Sequence, residues 1–156
     1  MATISFKSVG QLKQKFTEDP AVAKSIAPIG IKTPLRLSQN SGLLDMHYSL
    51  EDQLSDNLRN LLLTNWGERV GQYFFGANLR PLTSNFVSQD DFDSEAVIRI
   101  KDATSRWMSY IDLIDFFSET DRLENRNIGI IKITISYNIP LLKVSNKKLQ
   151  IVLYVM

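Results

Sequence analysis

The apolar positions of this chain follow a helical period in the middle and a strand period toward the end. Leu54, Leu58, Leu61 and Leu62 stand at i, i+4, i+7 and i+8, one stripe of a helix. Ser49 with Asp52 three residues on offers a capping pair at its start. Thr64, Asn65 and Gly67 supply stop and turn chemistry, so the spacing predicts a helix from about Leu50 to Thr64. The other face carries Glu51, Asp52, Ser55, Asp56, Arg59 and Asn60 and reads as solvated, with its acids toward the N-terminus as the helix dipole favours. Leu79, Leu82 and Phe86 then predict a short helix with Pro81 in its first turn. Residues 87–93 read as an acidic loop. Ser94 is positioned to cap a further helix through about Trp107, whose face is Val97, Ile100, Thr104 and Trp107.

The period then changes to two. Ile131, Ile133, Ile135, Tyr137 and Ile139 alternate with Lys132, Thr134, Ser136 and Asn138, and Leu149, Ile151, Leu153 and Val155 repeat the alternation. These are strands of a sheet with one buried face. Residues 111–117 fit either period, and we assign a strand. With 121–127 and 140–146 as hairpin connections, the last third is an antiparallel meander covered on one face by the preceding helix. The fold class is therefore α+β, a single domain over residues 49–156 preceded by an arm over residues 1–48.

That arm begins with a short strand at Ile4 and Phe6 and helical spacing at Val9, Leu12 and Phe16. Pro20, Pro28, Gly30 and Pro34 then keep it extended, with at most a helical turn between Ala21 and Ile26. Ile26, Ile29, Ile31, Leu35 and Leu37 make it too apolar for a free linker. It either packs on its own domain or lies along a neighbouring subunit. Residues 39–42 are a polar turn.

Composition narrows the function. Lys and Arg number 18 against 17 Asp and Glu, so no broad field attracts nucleic acid or anionic lipid. No apolar run approaches the ~18 residues of a membrane span, and the N-terminus lacks a signal-like core. A soluble, unsecreted protein is expected. The absence of cysteine removes disulfides, thiolate metal sites and cysteine nucleophiles, and fits a reducing cytoplasm. His47 is the single histidine, so a histidine-rich metal site is excluded. No glycine-rich phosphate loop occurs. No cofactor is expected.

The candidate site lies in residues 58–82, where a helix end, a charged glycine turn, the aromatic run Tyr73, Phe74 and Phe75 and a new helix start meet. Gly67 and Gly76 are best read as backbone geometry. Glu68 and Arg69 either fix the turn as an ion pair or reach a partner. The signature Leu62, Leu63, Thr64, Asn65, Trp66, Gly67, Glu68, Arg69, followed by Phe75, Gly76, Leu79 and Leu82, resembles the gene-twenty-five-like family of baseplate wedge subunits. This family belongs to contractile-tailed bacteriophages and has relatives in type VI secretion baseplates. The resemblance implies a structural, non-enzymatic subunit of the virion tail baseplate, assembled in the host cytoplasm. It would join the other wedge proteins and the tail sheath in a hetro-oligomer of sixfold symmetry. The family's Glu-Pro-Arg motif, between the long helix and the next strand, is absent. The matching stretch reads Trp107, Met108, Ser109, Tyr110, Ile111, Asp112, and Arg106 or Trp107 is the candidate replacement, although Trp107 also suits the core.

A small meander leaves long edges of unpaired backbone groups. The strand at Ile4 and Phe6 could cover one edge, or a partner could add a strand there. The family resemblance implies addition by sheath and makes Ile151, Leu153 and Val155 candidate partner contacts. Two alternatives to the scaffold remain: a lysozyme-like peptidoglycan hydrolase and an unrelated small binding module. Glycoside hydrolysis needs two carboxylates facing each other across a cleft, one of raised pKa. Glu51, Asp52 and Asp56 on a polar helix face, and Asp90, Asp91 and Asp93 in a loop, do not suggest it.

Overall fold

The computed structural model describes residues 27–38, 43–85, 88–122 and 129–155. The expected strand at Ile4 and Phe6, the helical spacing at residues 9–16, the turn at 39–42, Phe86 and most of the first hairpin connection lie outside them. The chain divides into two compact units, Met1–Asp56 and Asn57–Met156.

In the first unit the arm does not simply run extended. Strand β1 (Gly30–Ile31) pairs antiparallel with β2 (Met46–His47), Gly30 opposite His47, and an isolated bridge joins Leu37 to Leu44. Lys32 and Asp45 form an ion pair at 3.3 Å across this ribbon. Helix α1 (Leu50–Leu63) follows directly on Ser49. Its Asp56 corrects the expectation of a wholly solvated polar face: it is 8% exposed. Its Oδ2 accepts the Thr33 amide at 2.9 Å and meets His47 Nε2 at 2.7 Å. Burial alone would raise the pKa of Asp56, but the Thr33 amide and the hydrogen bond and charge of His47 outweigh it. The carboxyl is held below its ordinary value.

In the second unit Leu58, Leu61 and Leu62 of the expected stripe are buried. Helix α2 (Leu82–Asn85) is a single turn beginning after Pro81. Helix α3 (Gln89–Trp107) starts earlier than Ser94, because Ser88 caps it: the Ser88 hydroxyl accepts the Asp91 amide at 3.3 Å and bonds the Asp91 carboxylate at 2.6 Å. Asp90, Asp91 and Asp93 are therefore helical rather than loop residues, with Asp90 and Asp91 in the first turn, where the helix dipole stabilises them. Phe92, Ala96, Ile100, Ala103 and Thr104 form its buried face. Ser118 donates to Asp93, tying the helix to the sheet.

That sheet is a three-stranded antiparallel meander of β3 (Asp112–Arg122), β4 (Gly129–Ile139) and β5 (Val144–Val155), in that order. The architecture is α+β, and the assignment of 111–117 to a strand agrees with β3, which has a bulge between Leu113 and Asp115. Ile131, Ile133, Ile135, Tyr137 and Ile139 are all buried on one face, opposite Leu153, Ile151 and Leu149 in register. Each such side chain contributes about 1.5–3 kcal/mol. The second connection is tighter than expected. A 3-10 turn, Pro140–Leu142, leads to Lys143 in the left-handed region, and pairing resumes at Val144.

Candidate functional site

The residues between α1 and α2 form a loop tied back on itself at nearly every turn. Asn65 organises its start: its amide and its Nδ2 donate to the two oxygens of Glu68, at 2.8 and 2.9 Å, while its Oδ1 accepts the Arg80 amide at 3.2 Å. Gly67, at φ +85°, donates to the Tyr73 carbonyl at 2.8 Å. Trp66 Nε1 donates to the Gly76 carbonyl at 3.2 Å. The amides of Ala77 and Asn78 then close the loop onto Leu61 and Thr64, at 3.1 and 3.3 Å, and the Asn78 carbonyl accepts Arg99 Nη1 at 2.8 Å. Gly76 is required on two counts, a φ of +107° and a site where an added Cβ would lie 2.1 Å from the Thr64 oxygen. So both glycines serve backbone geometry. Held this way, the loop displays Trp66, Val70, Tyr73 and Phe74 on its exposed side. Phe74 meets Trp66 and Tyr73 edge-on, at 5.8 and 5.0 Å between ring centres.

Glu68 and Arg69 do not pair with each other. The Asn65 side chain, then its amide, hold the Glu68 carboxyl below its ordinary value, with Arg80 a lesser influence. Arg69 instead lies over the Phe75 ring, 4.2 Å from its centre, and Phe75 meets Trp107 at 5.2 Å. Glu68, Arg69, Phe75, Trp107, Met108 and Tyr110 thus border one hollow of about 640 Å³. Trp107 is half-buried, and its Nε1 is shut from water with no acceptor, an arrangement that costs about 1–3 kcal/mol. Arg106 is exposed in the last turn of α3 and borders neither this hollow nor the next.

A second hollow of about 480 Å³ lies beside the last strand, between Leu62, Leu79 and Arg80 and the residues Val152, Leu153 and Tyr154. Ile151 and Leu153 are buried and Val155 is half-buried, so their side chains face the covered side of the sheet. Val152 and Tyr154, between them, are the exposed ones, at 37% and 60%. Among the described residues no strand pairs with the outer edge of β5.

The sequence places Asn65, Phe75 and Asn78 in this stretch but not their partners, and it does not bring Tyr110 to the site. Asn65 had a signal, an asparagine three residues before a glutamate at a helix end. The others are assembled by the path of the loop and had none.

Among the described residues no cluster of three or more histidine and acidic side chains could hold a metal. Among the described residues the carboxyls with a displaced pKa, Asp56 and Glu68, are both held below the ordinary value, the opposite of what a general acid requires.

A short helix, a cross-tied glycine loop and a long helix packed on a three-stranded meander define the fold, and that fold recurs in solved structures. A chain of the anti-feeding prophage baseplate, solved with sixfold symmetry, is similar with a TM-score of 0.57 and 19% identity, covering 72% of this chain and 85% of its own. A candidate tail lysozyme from Geobacter sulfurreducens is similar at 0.50 and 22% identity, over 68% and 89%. A chain of the postcontracted pyocin R2 baseplate reaches 0.48 at 20% identity, over 67% and 97%. No protein-family model matches the chain, and no curated protein matches it in sequence.

Proposed function

We propose that this chain is a structural subunit of a contractile-tail baseplate wedge that joins wedge proteins to the first ring of tail sheath. The observation that carries the reading is the fold shared with a chain of the anti-feeding prophage baseplate. The signature around Gly67 and Gly76, built here as a loop cross-tied by hydrogen bonds, agrees with it. The sheath contact is assigned to β5. Its outer edge offers backbone groups to an added strand, and the adjoining hollow between Leu79 and Leu153 receives one of that strand's apolar side chains.

Co-expression of the N-terminally tagged chain with the neighbouring tail proteins tests this. The chain should retain both wedge proteins and sheath, whereas the double variant Val152→Asp, Tyr154→Asp, altered only at exposed positions, should lose sheath and keep the wedge proteins. Equal sheath retention by the variant refutes strand addition at β5, and retention of neither partner by the unaltered chain refutes the baseplate role. The similarity to a candidate tail lysozyme raises cell-wall hydrolysis, but the lowered pKa of Asp56 and of Glu68 favours the non-enzymatic reading.

A further inference from the structure

We infer that the hollow walled by Phe75, Trp107 and Tyr110, with Arg69 at its rim, receives an acidic side chain from a protein partner. At about 640 Å³ it is within the range of built ligand sites and holds one side chain with its waters. Its charged lining is one guanidinium, Arg69, and one carboxylate, Glu68. Glu68 borders it, but both oxygens of that carboxylate are already engaged by Asn65. Arg69 has no carboxylate partner among the described residues, and stacking over Phe75 holds its guanidinium in place, so little freedom is lost when an anion arrives. Trp107 contributes a ring wall, and its indole N–H, shut from water, reports on the hollow without donating into it. Burial favours the neutral phenol of Tyr110, which can donate. A single guanidinium between apolar rings suits one carboxylate on a short apolar stem, Asp or Glu. It does not suit a polyanion, which would need several cations.

The identity of the partner as a baseplate protein rests on the function proposed above; the binding chemistry does not. The test therefore uses the full chain alone. With the two indoles labelled with nitrogen-15, the protein is titrated with N-acetylglutamate N-methylamide and, separately, with the neutral glutamine analogue. Each runs to about 100 mM at fixed ionic strength, reaching the weak affinity of a single side chain. The Trp107 indole signal should move saturably with the glutamate probe and at least about threefold less with the glutamine probe. Arg69→Gln should erase that difference. Trp66, whose indole is already bonded to Gly76, should stay in place. A Trp107 signal that does not move, that responds equally to both probes, or that is unaffected by Arg69→Gln overturns the inference. Such a failure leaves the sheath experiment standing, and failure of that experiment leaves this one standing.

Discussion

Replacing Gly76 by alanine should damage the second unit more than any comparable change in the loop. The backbone there has φ +107°, and the new Cβ would sit 2.1 Å from the carbonyl oxygen of Thr64. The obstacle is backbone, so no rotamer change relieves it. An L-residue in this conformation costs about 1–3 kcal/mol. The shift needed to clear the oxygen also strains the closing bonds from Ala77 to Leu61 and from Asn78 to Thr64, each worth about 0.5–1.5 kcal/mol. The expected loss is about 2–6 kcal/mol in all. For a unit of this size that is a fall of about 8 °C or more in the thermal midpoint. Gly71→Ala is the control, because Gly71 has φ +81° but nothing within 4 Å of the added carbon. It should lose only about 1–2 kcal/mol. Both tryptophans lie in this unit, so urea unfolding followed by their fluorescence reads it directly, with the midpoint shifting at constant slope. If Gly76→Ala came within about 0.5 kcal/mol of Gly71→Ala, the steric account of the loop would be wrong.

Two further outcomes follow from the same reasoning. Because the folded-state pKa of Asp56 lies below its ordinary value, the stabilisation it gives is complete above the ordinary carboxylate range and is lost as pH falls through the lower folded value. Asp56→Asn should raise exchange of the Thr33 amide about tenfold or more near neutral pH, and the acid loss of protection should disappear; unchanged protection would show that the buried pair does not hold the arm. At the start of α3, Ser88→Ala should cost about 0.5–2 kcal/mol, whereas Ser94→Ala should stay within about 0.5 kcal/mol. The reverse order in a denaturant series would move the helix start to Ser94.

Local periodicity carried the elements themselves. The leucine stripe of α1, the alternation of β4 and β5 and the backbone roles of Gly67 and Gly76 were legible in the sequence, because each is imposed by near neighbours or by a single buried face. For α3 the local chemistry pointed to Ser94 as the cap, and residues 87–93 read as a loop. Ser88 prevails because Asp91 stands three residues on, and the acids between it and Ser94 are then stabilised within the helix. Nothing local marks Asp56 as buried. It becomes so because the arm turns back and brings Thr33 and His47 to it, from 23 and 9 residues away. Nor does adjacency mark the partners of Glu68 and Arg69. As neighbours in sequence they invited pairing, yet the turn aims one at Asn65 and the other over Phe75. The gathering of Arg69, Phe75 and Trp107 around one hollow is likewise a product of the loop's path and of the end of α3. The sequence determined which faces of the helices and strands are apolar, since amphipathicity is written residue by residue. Only the tertiary structure decided which polar groups meet, since those contacts join segments whose separation along the chain carries no trace of their approach in space.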